Sequence, residues 1–221
     1  MLLARLTCLL LLSLACLCAQ PLDVILVLEM SPGTEQAIGL IRERAFQEDD
    51  RAGVIGFIRT AQVLQPLTDD RDKLATALQR SGTRAGVAVG GPDRGQIGMS
   101  GAVDLTGAVS KACDELSEHG GSDRQRAIIV LFAGEDPNLS ARLDTLQAKL
   151  SGVDVRLYAV MIQRINALES PGMPRTGASR FPTPSAVVTP RLMSELAEES
   201  GGRIYKGGWD LKKILAAARK P

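Results

Sequence analysis

Leu22-Asp-Val-Ile-Leu-Val-Leu-Glu29-Met-Ser31-Pro-Gly33 is the stretch that decides the fold. An unbroken apolar run, Val24 to Leu28, stops abruptly at a carboxylate, a serine and a Pro-Gly turn, and a helical pattern follows at once. A continuous apolar run of this length suits a strand buried on both faces, at the centre of a parallel sheet. In such sheets ligands bind where the carboxyl ends of the strands meet the loops. Glu29 and Ser31 therefore stand where a site is expected.

Upstream, residues 1–19 read as a secretory signal peptide. Arg5 supplies the positive start, and Leu6 to Cys18 is almost wholly apolar but shorter than the roughly 20 residues a spanning helix needs. Cys16 follows Ser13-Leu14-Ala15, a poor match to a lipoprotein cleavage site. The expected location is secreted or periplasmic, with no membrane span. Arg5 is the only charged residue before Gln20, so of 26 basic and 25 acidic side chains 25 of each remain. A balanced chain has no global field to steer it onto nucleic acid or anionic lipid. Three of the four cysteines fall in the signal, which leaves Cys113 alone, without a disulfide partner, inside a helical apolar stripe.

Downstream, Thr34 to Phe46 reads as a helix capped by Ser31 or Thr34. Val54–Ile58 and Gln62–Leu67 form an antiparallel hairpin, with Pro66 suiting an edge strand. Thr68-Asp69-Asp70 opens the next helix. Ser81 to Gly101, with seven glycines, reads as a loop that matches neither a phosphate-cradling nor a dinucleotide motif. Val103 to Glu118 is the clearest helix, ended by His119-Gly120-Gly121 with glycine in the left-handed region. Arg126–Phe132 is a strand, Leu139 to Leu150 marks a helix, and Val153–Ile162 is a strand. Gln163 to Pro190 reads as a long connection, functional or mobile, and Thr189-Pro190 as the start of a helix. Arg203–Lys206 is a short strand and Trp209–Arg219 a closing helix. The order β-α-ββ-α-α-β-α-β-α-β-α predicts an α/β architecture: three layers, Rossmann-like, a mostly parallel central sheet with one antiparallel edge strand, and helices on both faces.

These motifs, taken in order, resemble the von Willebrand factor type A (VWA) domain over residues 21–221. The resemblance rests on the first strand ending in acid-x-Ser and on Ala52-Gly-Val-Ile-Gly-Phe57 with Leu64-Gln-Pro-Leu67-Thr-Asp-Asp. It rests also on Ile128-Ile-Val-Leu-Phe before Gly134-Glu-Asp136, and on Ser200-Gly-Gly-Arg203-Ile-Tyr. With the signal peptide in front, the chain is similar to the secreted bacterial branch. Members with an active site hold a divalent cation on oxygen ligands: Asp-x-Ser-x-Ser after the first strand, a threonine before the third helix and an aspartate after the fourth strand. This sequence departs at four of those five places, with Glu29, Gly33, Ala102 or Val103, and Ala133. Only Ser31 is kept. Asp104 and Thr106 lie close by, placed inside the helix, and Glu135 and Asp136 match the family's loop consensus rather than its ligand set. The resemblance thus implies a degenerate metal-ion-dependent adhesion site and no cofactor.

The sequence predicts a non-enzymatic, bacterial, protein-binding module that engages an unidentified protein without metal. Glu29, Ser31, Glu135 and Asp136 are the candidate partner-binding residues at the loop end of the sheet; Arg164, Arg175 and Arg180 of the long loop read first as solvated surface charge, with contact to acids of a partner as the alternative. The alternative is metal-dependent adhesion through an altered site built on Glu29 and Ser31, with Asp104 or Glu135 reaching the ion. No nucleophile–base–acid set is readable, because the only histidine is at a helix end and the serines lack a nucleophile-elbow context.

Overall fold

Among the described residues, apolar runs form strands and amphipathic stretches form helices in the computed structural model, which describes residues 20–31, 34–41, 45–87, 103–133, 135–162 and 184–220. In chain order the elements are β1 (Leu22–Glu29), α1 (Glu35–Gly39), β2 (Arg51–Phe57), β3 (Ala61–Thr68) and α2 (Arg71–Val87). Then come α3 (Leu105–His119), β4 (Gln125–Phe132), α4 (Leu139–Val153), β5 (Arg156–Met161), α5 (Pro184–Glu199), β6 (Arg203–Lys206) and α6 (Leu211–Ala218). The sheet runs β3-β2-β1-β4-β5-β6, parallel throughout except for the β2–β3 hairpin. The expected α/β order and the single antiparallel edge strand are therefore both present.

β1 sits between β2 and β4, and every one of its residues is buried. The two-residue period of a strand sends alternate side chains to opposite layers. Leu22, Val24, Leu26 and Leu28 join the core under α1, α2 and α6, beside Ile38, Leu74 and Leu215. Ile25 and Val27 join the core under α3, α4 and α5, beside Val109, Cys113, Leu146 and Met193. Burying such side chains contributes about 1.5–3 kcal/mol each, and they hold the two helical layers to the sheet. Chain order also reverses at β1: β2 and β3 lie to one side, β4 to β6 to the other. The loops after β1 and β4 consequently diverge around a topological switch point, the place where open α/β sheets take ligands.

Several boundaries differ from the sequence reading. α1 ends at Gly39, so Leu40 and Ile41 are not helical. Thr34 occupies its N-cap position without capping by side chain. α2 continues through Ser81 to Val87, into the expected loop; Ser81 is buried in it, and its hydroxyl donates to the Ala77 carbonyl one turn back, 2.8 Å away. α4 runs through Val153, and β5 starts only at Arg156 after Asp154 has turned the chain with φ 52°. α5 begins at Pro184, which puts Pro190 inside the helix instead of at its first turn. Gly120 is extended rather than left-handed, and glycine is required there by crowding, since a Cβ would meet the Leu116 carbonyl oxygen at 2.3 Å. Positive φ occurs instead at Gly201, Gly207 and Gly208, with 78° at Gly201, and the residue after Gly201, Gly202, packs its Cα against the backbone of β5. The expected signal segment, residues 1–19, lies outside the described residues, as do Gly33, Ala102, Gly134 and the arginines at 164, 175 and 180.

Candidate functional site: the loop end of the sheet

Glu29 is the last residue of β1 and is 0% exposed. Its Oε1 accepts from the Ser31 hydroxyl, and its Oε2 accepts from the backbone N–H of Ala133 at 2.7 Å. Ala133 directly follows β4, so this one side chain joins the two strands at which chain order reverses. The Thr34 hydroxyl lies 2.7 Å from the Glu29 carbonyl oxygen and 2.8 Å from that of Ser31, donating back into the loop. Met30 N–H donates to the Phe57 carbonyl (2.9 Å), which ties the same loop to the end of β2.

A second polar cluster is centred on Asp136, 4% exposed. Asp136 Oδ2 accepts from both the N–H of Thr106 (2.7 Å) and its hydroxyl, and Oδ1 accepts from Asn138 N–H at 2.8 Å. Asp136 N–H donates to Thr189 Oγ1 on α5 at 3.2 Å. The loop after β4 is thereby pinned to the first turn of α3 and to α5. Asp104 is the N-cap of α3, outside the helix, and accepts from Gly107 N–H at 2.9 Å. An N-terminal cap of this kind satisfies one of the four orphan donors of a helix start. Its own N–H donates to the Ile58 carbonyl, and Val103 N–H to that of Glu135, at 2.8 and 3.1 Å.

The four candidate residues thus divide between two clusters. Glu29 and Ser31 sit in the first; Asp136 organises the second, and half-buried Glu135 joins it through its carbonyl. Thr189 and the Ala133 amide are site members that sequence reasoning missed. Thr106 was noticed only as a neighbour. Asp104-Leu-Thr106-Gly does carry a cap-plus-first-turn signal, whereas nothing in the sequence ties Thr106 to a residue 30 positions on.

The opposite edge, where the parallel strands begin, is built on arginine. Asp23, on β1 and 0% exposed, accepts from Arg51 Nε (2.9 Å), Arg124 Nε (2.5 Å) and Gly121 N–H (2.8 Å). Burial pushes its carboxyl up, but hydrogen bonds from Arg51, Gly121 N–H and Arg124, with the Arg124 charge, outweigh that and hold it below its ordinary 3.8. Asp50 receives Leu22 N–H at 3.2 Å and the Arg219 guanidinium. Arg51, Arg126 and Arg156 also donate to the carbonyls of His119, Val153 and Ala218, at the C-termini of α3, α4 and α6. Cations are favoured at those negative helix ends.

No protein-family profile matches the sequence, and no curated protein matches it either. Solved structures do match. The conserved hypothetical protein BatB from Bacteroides thetaiotaomicron superposes with TM-score 0.58 at 17% identity, over 90% of this chain and 96% of that one. An aerotolerance-related membrane protein from Bacteroides fragilis gives 0.55 at 17% identity, over 89% of this chain and 98% of that one. The SpRpn10 VWA domain gives 0.53 at 12% identity, over 89% and 94%. The chain has a VWA fold.

The donor set of this VWA fold does not suit a hard divalent cation. Such an ion needs several oxygen ligands in near-octahedral array. Of Ala102 and Val103, the two residues that the resemblance puts at the threonine position, neither has a side-chain oxygen, and Val103 is buried; Ala133 stands where the resemblance puts the late aspartate. Both carboxylate oxygens of Glu29 already accept hydrogen bonds from the protein. Among the described residues no helix is long and apolar enough to cross a membrane.

Proposed function

We propose that this VWA-fold protein is a secreted or periplasmic, non-enzymatic interaction module that binds a protein partner through the loop end of its sheet, without metal. One observation carries the reading: the carboxylates at the switch point, Glu29 and Asp136, are turned inward and bonded to protein hydroxyls and amides. Buried polar groups satisfied in this way stiffen the loops around them, which supports a preformed surface that needs no ion. Partner contact then falls to what surrounds them: exposed Arg59 and Thr60 in the turn after β2, and half-buried Glu135. The two usual reactive side chains lie elsewhere. His119 ends α3 at the opposite edge, and burial pushes the Cys113 thiol up to about 12. The signal-type segment at residues 1–19 supports the extracytoplasmic location.

Affinity capture from an envelope fraction, with and without a chelator, tests the proposal. The expected result is a partner retained in chelator and lost on Arg59→Glu. A partner released by chelator and restored by magnesium or manganese would overturn it in favour of a metal-bridged contact.

A further inference from the structure

We infer that Glu29 takes over the mechanical role of an ion at the switch point, as a positioning residue that ties β1 to β4 from inside the protein. The inference rests on the metal-free reading above and adds the residue and the dimension responsible. Three observations converge on it. Glu29 is fully buried, at the end of the central strand, where a carboxylate with nothing to bond would be strongly disfavoured. One of its oxygens takes the hydroxyl of its own loop, Ser31, and the other takes the first amide beyond β4, Ala133. Finally, Ala133 carries only a methyl and so has no polar side chain of its own to compete for the Glu29 carboxylate. The span needs two methylenes: an aspartate on the same Cα stops one carbon short of Ala133.

Length, then, is the property that the two substitutions separate from charge. Glu29→Asp keeps the charge and shortens the reach. Glu29→Gln keeps the reach, presenting Oε1 to the Ala133 amide and Nε2 to Ser31 Oγ. A residue serving as an ion ligand would show the opposite order, since aspartate is a better hard-metal ligand than a glutamine amide.

The test is hydrogen exchange at the Ala133 amide, followed by NMR in the full chain, together with the melting temperature. Glu29→Asp is expected to speed exchange at Ala133 by about tenfold or more, as for loss of one charge-assisted bond. It should also lower the melting temperature by about 5 °C. Glu29→Gln is expected to keep exchange within about threefold of the wild type. Equal protection in the wild type and Glu29→Asp would overturn the inference, and so would a Glu29→Gln variant as unprotected as Glu29→Asp. Failure here is separable from failure of the proposed function: partner capture in chelator reports on the function whatever the ranking of the two variants.

Discussion

Asp23 and Glu29 lie on the same face of β1, both at 0% exposure, and are satisfied by different means. At the start of the strand, Asp23 is clasped by two guanidiniums and an amide. At its end, Glu29 is held by a hydroxyl and an amide. The first arrangement neutralises charge with charge, and the second relies on reach and direction. Arginines at the base also close off the helix C-termini, so that edge is built for stability. The loop end carries lighter, internal ties that shape a surface.

If the contrast is right, the heaviest loss comes at the base. Asp23→Ala leaves Arg51 and Arg124 without their shared carboxylate and is expected to destabilise by about 3 kcal/mol or more, read from denaturant melts. An unchanged midpoint would break the comparison at once. Acid acts on the same group. Because its folded pKa lies below the ordinary 3.8, Asp23 contributes stability that is complete above that value. The contribution fades as pH falls through 3.8 towards the lowered folded value. Asp23→Asn should flatten this acid limb of a stability–pH profile.

Smaller effects belong to the loop end. Thr106→Val removes the hydroxyl donor to Asp136 while leaving the backbone donor, at an expected cost of about 1–2 kcal/mol. Thr189→Val leaves the Asp136 N–H without its acceptor, costing about 1 kcal/mol. Both are measurable in the same melts, and a Thr106 loss as large as that of Asp23 would erase the distinction between the two ends. Smallest of all, millimolar magnesium, manganese or calcium should leave the melting temperature of the wild type unchanged. A chelator-reversible rise would show that an ion binds the native state.

The strands were legible because burial on both faces forces continuous apolar runs, as in Val24–Leu28 and Ala127–Phe132. Helix ends were less so. α2 crosses Gly82 and Gly86, residues that normally end a pattern, and the burial of Ser81 between them and the first turns has no counterpart in the sequence periodicity. Proline is best tolerated in a first turn, which is where the sequence puts Pro190, yet the helix already begins at Pro184. At the site, Glu29-x-Ser31 stood out by its place after a strand. Its bond to Ala133 was invisible, because a backbone amide has no residue type. The Thr106–Asp136–Thr189 set joins three distant segments that share no periodicity.

Cys113, in the middle of the buried stripe of α3, offers a practical use. In the native fold its thiol is raised to about 12 and fully covered, so it is silent to alkylating reagents. Released from the fold it regains ordinary reactivity, near 8.5. From Gln20 onward it is the only thiol in the chain. Its labelling rate therefore counts how often α3 lifts off the sheet, a single-atom clock for the opening of the core.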